Sequence, residues 1–157
     1  MNLYRYFSIL FSYPTEENVR EIRELSRTGG VTGLRSGEVL SSVPLEEAQA
    51  EYTRLFISTY PKLLCPPYES CYREGLVYGN SSIEVGEWYR KNGLDFICES
   101  EPPDLLSVEL EFLAIMKDRA FLEKLREWIY KFTERVKNNS SIYGTCAEDL
   151  EDFLKTA

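Results

Sequence analysis

The chain contains no histidine. That removes the commonest general base and the commonest metal ligand together. Ser-His and Cys-His catalysis are excluded, and so is any histidine-bearing zinc site. Cysteine is sparse as well: Cys65, Cys71, Cys98 and Cys146, none in a Cys-x-x-Cys pair. A zinc ribbon and a thioredoxin-type motif therefore have no support. The scatter implies single buried thiols in a reducing compartment. A Cys65–Cys71 disulfide across the intervening Pro-Pro segment is the geometric alternative.

Long apolar runs are also missing. No segment approaches the roughly 20 apolar residues that span a bilayer, so no stable membrane insertion is expected. The first residues, Met1 to Phe11, are apolar but interrupted by Arg5, and they lack the layout of a cleavable leader. The expected location is the cytoplasm. Glycines cluster in Thr28-Gly-Gly-Val-Thr-Gly-Leu-Arg-Ser-Gly37, but no Gly-Lys-Ser/Thr follows and no strand precedes. This stretch reads as a flexible connection, not a phosphate loop.

Positive charge is in deficit. Lys and Arg number 18 against 26 Asp and Glu, a net charge of −8. Such a chain repels phosphate backbones, which argues against nucleic acid as its main partner. The acidity either aids solubility or suits a cationic partner.

What the sequence does have is apolar helical periodicity. With 43% hydrophobic residues among 157, it is most simply one domain, residues 1–157, able to bury its own core. Leu3, Tyr6, Phe7, Leu10 and Phe11 predict a first helix over residues 2–12. Thr15 is placed to cap a second, with Val19, Ile22 and Leu25 as its inner stripe. Pro44 opens a third, which Tyr60-Pro61 closes. Ser81-Ser-Ile-Glu84 has capping-box spacing and predicts a helix from about residue 82 to 92, stopped by Asn92-Gly93. Asp104 is a good N-cap for a helix to Lys117. One stretch follows with Phe121, Leu125, Trp128, Ile129, Phe132 and Val136 in register, and a last helix carries Ile142 to Leu154. No run alternates as a strand would. The expected fold is all-α, a bundle of six or seven helices.

Two stretches stand apart. Leu64-Cys-Pro-Pro-Tyr-Glu-Ser-Cys-Tyr72 is extended by its prolines and then offers Tyr68, Glu69, Ser70 and Tyr72. Glu99-Ser-Glu-Pro-Pro-Asp104 is an acidic loop stiffened by Pro102 and Pro103, and between Asn92 and Met116 there is no Lys or Arg. Glu99 and Glu101 either form a solvated loop or wait, pre-ordered, for a cation. At about 100° per residue Glu109 falls among Leu105, Phe112, Leu113 and Met116. A carboxyl there must find a donor or stay protonated. It is either a buried structural anion or the floor of a binding site. Tyr68, Tyr72, Trp88, Tyr89 and Phe96 could line an apolar groove beside it, or could simply be core.

Pro67-Tyr-Glu-Ser-Cys-Tyr72, followed by Glu101-Pro-Pro-Asp104 and Glu109-Leu-Glu-Phe-Leu113, resembles the TorD/DmsD/NarJ family of redox-enzyme maturation chaperones. The resemblance runs from about Tyr52 to Leu154. Leu105 departs from it, standing where the family usually has histidine, and Lys124 lies near another such position. The resemblance implies an all-helical, non-enzymatic chaperone without a cofactor, monomeric or a domain-swapped dimer. Its partner would be the twin-arginine signal peptide, or a neighbouring part, of an apo molybdopterin oxidoreductase subunit. With Trp88 and Glu99 from the groove and charge readings above, the expected binding residues are Tyr68, Glu69, Ser70, Tyr72, Trp88, Glu99, Glu101, Pro102, Asp104, Leu105 and Glu109. A helical regulator binding a small molecule or nucleotide in the same pocket is the alternative from another class. An enzyme has the least support, for want of histidine, metal motif or cofactor fingerprint.

Overall fold

The structure is a computed structural model and describes residues 2–28, 33–96 and 100–157. Among these residues the chain forms ten α-helices: α1 (Leu3–Leu10), α2 (Glu16–Thr28), α3 (Ser36–Ser42), α4 (Leu45–Tyr52), α5 (Glu69–Arg73), α6 (Asn80–Lys91), α7 (Leu106–Met116), α8 (Arg119–Arg126), α9 (Ile129–Asn139) and α10 (Ser141–Thr156). A π-helical turn, Thr53–Ile57, continues α4. The all-α class is as expected, and among the described residues the only β pairing is an isolated antiparallel bridge between Tyr68 and Leu105.

The helix count exceeds the six or seven expected, for three local reasons. The end of the glycine-rich connection folds into α3, because Asp149 of α10 accepts the Arg35 and Ser36 N–H groups at 2.9 and 2.7 Å and supplies the missing cap. Glu69–Arg73 makes a short helix of its own. The Phe121-to-Val136 stretch breaks at Trp128, whose φ of −120° lies outside the helical range while its buried ring stacks on Tyr72.

Two predicted caps are also reassigned. Leu105, not Asp104, occupies the N-cap position of α7. At α6, Ser81 does not form a capping box with Glu84. Its N–H and hydroxyl both donate to Glu74, at 2.5 and 2.8 Å, and Glu84 is exposed. Other signals hold. Thr15 accepts the Asn18 N–H at 3.1 Å. Gly93, at φ +77°, ends α6 with the Leu94 N–H on the Tyr89 carbonyl and its own N–H on Arg90.

α1 is the hub. Tyr6, Phe7 and Leu10 are fully buried, and α1 lies against α7, with Ser8 Oγ donating to the Ser107 carbonyl at 2.6 Å. α9 and α10 pack together, and α3 closes over α10. Phe11, Phe56, Phe132 and Tyr143 meet in the core at ring separations of 5.3 to 6.4 Å. Cys65, Cys71 and Cys146 are free thiols, so Cys65 and Cys71 form no disulfide, while Cys98 lies outside the described residues. Burial raises the Cys65 and Cys71 pKa values to about 11, which favours the protonated thiol at both. Among the described residues no helix is long and apolar enough to cross a membrane.

Candidate functional site: a groove backed by buried charge

The two sequence motifs are stitched together by backbone. Pro66 and Pro67 are buried and hold the chain extended into Tyr68, at φ −129° and ψ 131°. The Leu106 N–H donates to the Pro67 carbonyl at 2.8 Å, and the Glu69 N–H to the Asp104 carbonyl at 3.2 Å. Asp104 Oδ2 accepts the Ser70 N–H at 2.8 Å. The carboxylate that was expected to cap α7 therefore caps α5 from across the seam. Negative charge suits a helix N-terminus, which is where α5 places it.

Behind this seam lies a charged interior. Glu69, Ser70, Asp104 and Glu109 are fully buried. Lys124 Nζ sits on Glu69 Oε2, and Arg73 Nε approaches the same oxygen at 3.2 Å. Arg73 also reaches the Lys124 carbonyl at 3.1 Å and Glu127 at 2.9 Å, tying α5 to α8. Burial, then the adjacent Glu69 carboxylate, raise the Glu109 pKa well above the usual carboxylate range, against the pull of Lys124. Of the two readings of Glu109, the geometry favours the interior one: its side chain has no surface to offer a partner.

In front of the seam is a groove of about 540 Å³. The α1–α2 connection contributes Tyr13, and α4 with its π-helical turn contributes Tyr52, Phe56 and Ile57. Val77 and Tyr78 close one side, and Tyr68, Glu101, Pro102 and Leu105 form the wall nearest the seam. Large apolar surface is left in water here: Tyr13 is 42%, Ile57 52% and Tyr78 59% exposed. Among the described lining residues Glu101 alone carries a charge. Tyr68 OH donates to Glu101 Oε2 at 2.6 Å. Burial, then that hydrogen bond, push the Tyr68 phenol far above its ordinary pKa, so it remains a donor. Tyr78 occupies left-handed backbone at φ +60°, a costly place for an aromatic residue.

The remaining expected site residues lie elsewhere. Tyr72 is half-buried between Trp128, at 5.5 Å between rings, and the Arg135 guanidinium, at 5.2 Å. Trp88 donates to Asp118 Oδ2 at 2.8 Å and packs edge-on against Phe121. It borders a separate hollow with Glu84, Glu87 and Lys124. Tyr89 and Phe96 line a third, small one with Phe112 and Ile115. Glu99 lies outside the described residues. Tyr13, Ile57 and Tyr78 were not anticipated. Their signal was available: each is a large apolar residue off the helical stripes, and Tyr13 and Tyr78 adjoin Pro14 and Gly79.

The sequence pattern of the family described as the nitrate reductase delta subunit matches residues 14–145. The chain belongs to this family. A crystal structure of a presumptive redox enzyme maturation protein from Archaeoglobus fulgidus is 41% identical, spans 98% of this chain and 93% of that one, and superposes with a TM-score of 0.90. No curated protein matches the chain. Together the two matches indicate a redox enzyme maturation protein, in agreement with the motif resemblance. Leu105 puts an apolar side chain on the groove wall.

Proposed function

We propose that the chain is a cytoplasmic, non-enzymatic chaperone, one domain over residues 1–157. It would bind the twin-arginine signal peptide, or an adjacent part, of an apo molybdopterin oxidoreductase subunit and hold it until the cofactor is inserted. The observation that carries this reading is the groove itself: exposed Tyr13, Ile57 and Tyr78 beside a single carboxylate, Glu101. A twin-arginine signal has the complementary order, guanidinium groups followed by an apolar stretch. The apolar stretch fits the aromatic and aliphatic walls. A guanidinium fits Glu101, already oriented by Tyr68 and by the adjoining Pro102 and Pro103, so little order is lost on binding.

On this reading the eleven residues expected from sequence divide by position. Tyr68, Glu101, Pro102 and Leu105 touch the partner. Glu69, Ser70, Asp104 and Glu109 shape the wall from behind, and Tyr72 and Trp88 support the fold beside it. Glu99 adds negative charge close to Glu101 along the chain.

Calorimetric titration with a synthetic twin-arginine peptide tests the proposal. The peptide should bind, and rising salt should weaken it. Glu101→Lys should weaken it by at least about tenfold, the scale of one lost charge-assisted hydrogen bond. No binding, or binding indifferent to both salt and Glu101→Lys, would contradict the proposal.

A further inference from the structure

The interior behind the groove is short of positive charge. Three carboxyl groups, Glu69, Asp104 and Glu109, are fully buried together, while the cations set against them are Lys124 and Arg73. Its hydrogen bonding is incomplete as well: Glu69 Oε1, Asp104 Oδ1, both Glu109 oxygens and the Ser70 hydroxyl are buried without a partner. One proton balances the charge and adds one hydrogen bond. Carried by Glu109, it leaves two carboxylates opposite two cations, and it gives Glu109 an O–H to donate to Glu69. A metal ion is a poorer answer, because Lys124 and Arg73 already hold Glu69 and the described residues form no metal-binding cluster.

We propose that Glu109 is a proton-carrying latch between α7 and α5, and that loss of its proton loosens the Tyr68–Leu105 seam and with it the groove wall. The connection is short. Glu69 follows Tyr68, and its N–H is one of the seam's hydrogen bonds. An ionised Glu109 would place an unbalanced third negative charge against Glu69, and the strain is relieved by drawing α5 away from the start of α7.

The groups facing Glu109 are Glu69 and Arg73 from α5, Tyr89 from α6, Asp104 from the loop and Lys124 from α8. α1 brings Arg5 to α7, but onto Glu111, at 3.6 Å. Burial, together with Glu109, keeps the Tyr89 phenol protonated far into the alkaline range, so it supplies no competing charge. Only the consequence for a bound peptide rests on the function proposed above; the latch itself does not.

The test uses the full chain and carboxyl carbon NMR with amide exchange. The Glu109 carboxyl should lose its proton well above the ordinary carboxylate range. Protection of the Glu69, Ser70 and Leu106 amides, corrected for intrinsic exchange, should fall at least about tenfold as pH rises through the titration of Glu109. Glu109→Gln, neutral at every pH and still a donor, should lose that dependence. A Glu109 that titrates as an ordinary carboxyl overturns the latch even if the variant fails to fold. Protection that is flat in the parent chain, or equally pH-dependent in Glu109→Gln, overturns it too. Twin-arginine peptide affinity over the same range provides a separate arm: with the latch it falls as pH rises in the parent chain alone. A peptide that binds at neither end of that range counts against the functional proposal, and the exchange data then decide the latch.

Discussion

Asp104 reaches across 34 residues to cap a helix it does not begin, its Oδ2 accepting the Ser70 N–H at 2.8 Å. Asp149 does the same for α3 through the Arg35 and Ser36 N–H groups. Both receiving helices lack a side-chain hydrogen bond from their own N-cap residue. Tertiary contact here supplies what local sequence does not. Asp104→Ala and Asp149→Ala should each lose about 1–2 kcal/mol, as removal of an N-cap does. Urea unfolding checks this: the midpoint should fall in both variants, and an unchanged midpoint would mean the contact contributes nothing.

Tyr78 combines a strained backbone with an exposed ring in the groove. Glycine relieves the strain and removes the ring. Tyr78→Gly should therefore match or exceed the parent in stability, by up to about 1 kcal/mol. It should also bind a twin-arginine peptide more weakly. Thermal unfolding and calorimetry on one preparation separate the effects, and a variant that loses stability but not binding would remove Tyr78 from the site.

Trp88 offers a negative control. Its indole N–H, before any other influence, holds the Asp118 pKa below its ordinary value. A depressed pKa contributes stability above the unfolded value of 3.8, lost as pH falls through the folded value. In Trp88→Phe the carboxyl resonance of Asp118 should titrate at higher pH, and this acid-sensitive contribution should shrink. Peptide affinity should not change, because Trp88 does not line the groove.

Glu109 acts in the opposite direction. Its folded pKa is raised, so its contribution to stability is complete below the unfolded value of 4.5 and is lost as pH rises toward the folded value. The slope for one proton is about 1.4 kcal/mol per pH unit. Unfolding free energies measured across this window should decline in the parent chain. Glu109→Gln should decline less, and parallel profiles would contradict the assignment.

Helical periodicity made the fold class legible, along with the first helix, the Thr15 cap and the Asn92-Gly93 stop. It did not reveal α3 or α5, because their caps come from Asp149 and Asp104, far along the chain. The candidate groove was legible in part. Tyr68, Glu101, Pro102 and Leu105 line the groove as the two motifs suggested, and Glu109 is buried as its helical neighbours required. Tyr72 and Trp88 also had the right chemistry for a groove. Which aromatic faces water is decided by Trp128, Arg135 and Asp118, which no spacing rule brings to them. Tyr13 and Ile57 stood out only as large apolar residues off the helical stripes; that they share a groove with Tyr68 is set by tertiary packing.

The most direct measurement is site-specific photo-crosslinking, with a photoreactive phenylalanine analogue at position 78 in the groove or at the exposed position 134 on α9. The chain is co-expressed with an apo molybdopterin oxidoreductase subunit carrying its twin-arginine signal. An adduct is expected from position 78, mapped by mass spectrometry to the signal or the segment beside it, and lost when that segment is deleted. Equal crosslinking from both positions, or an adduct from position 78 that survives the deletion, would contradict the proposed function.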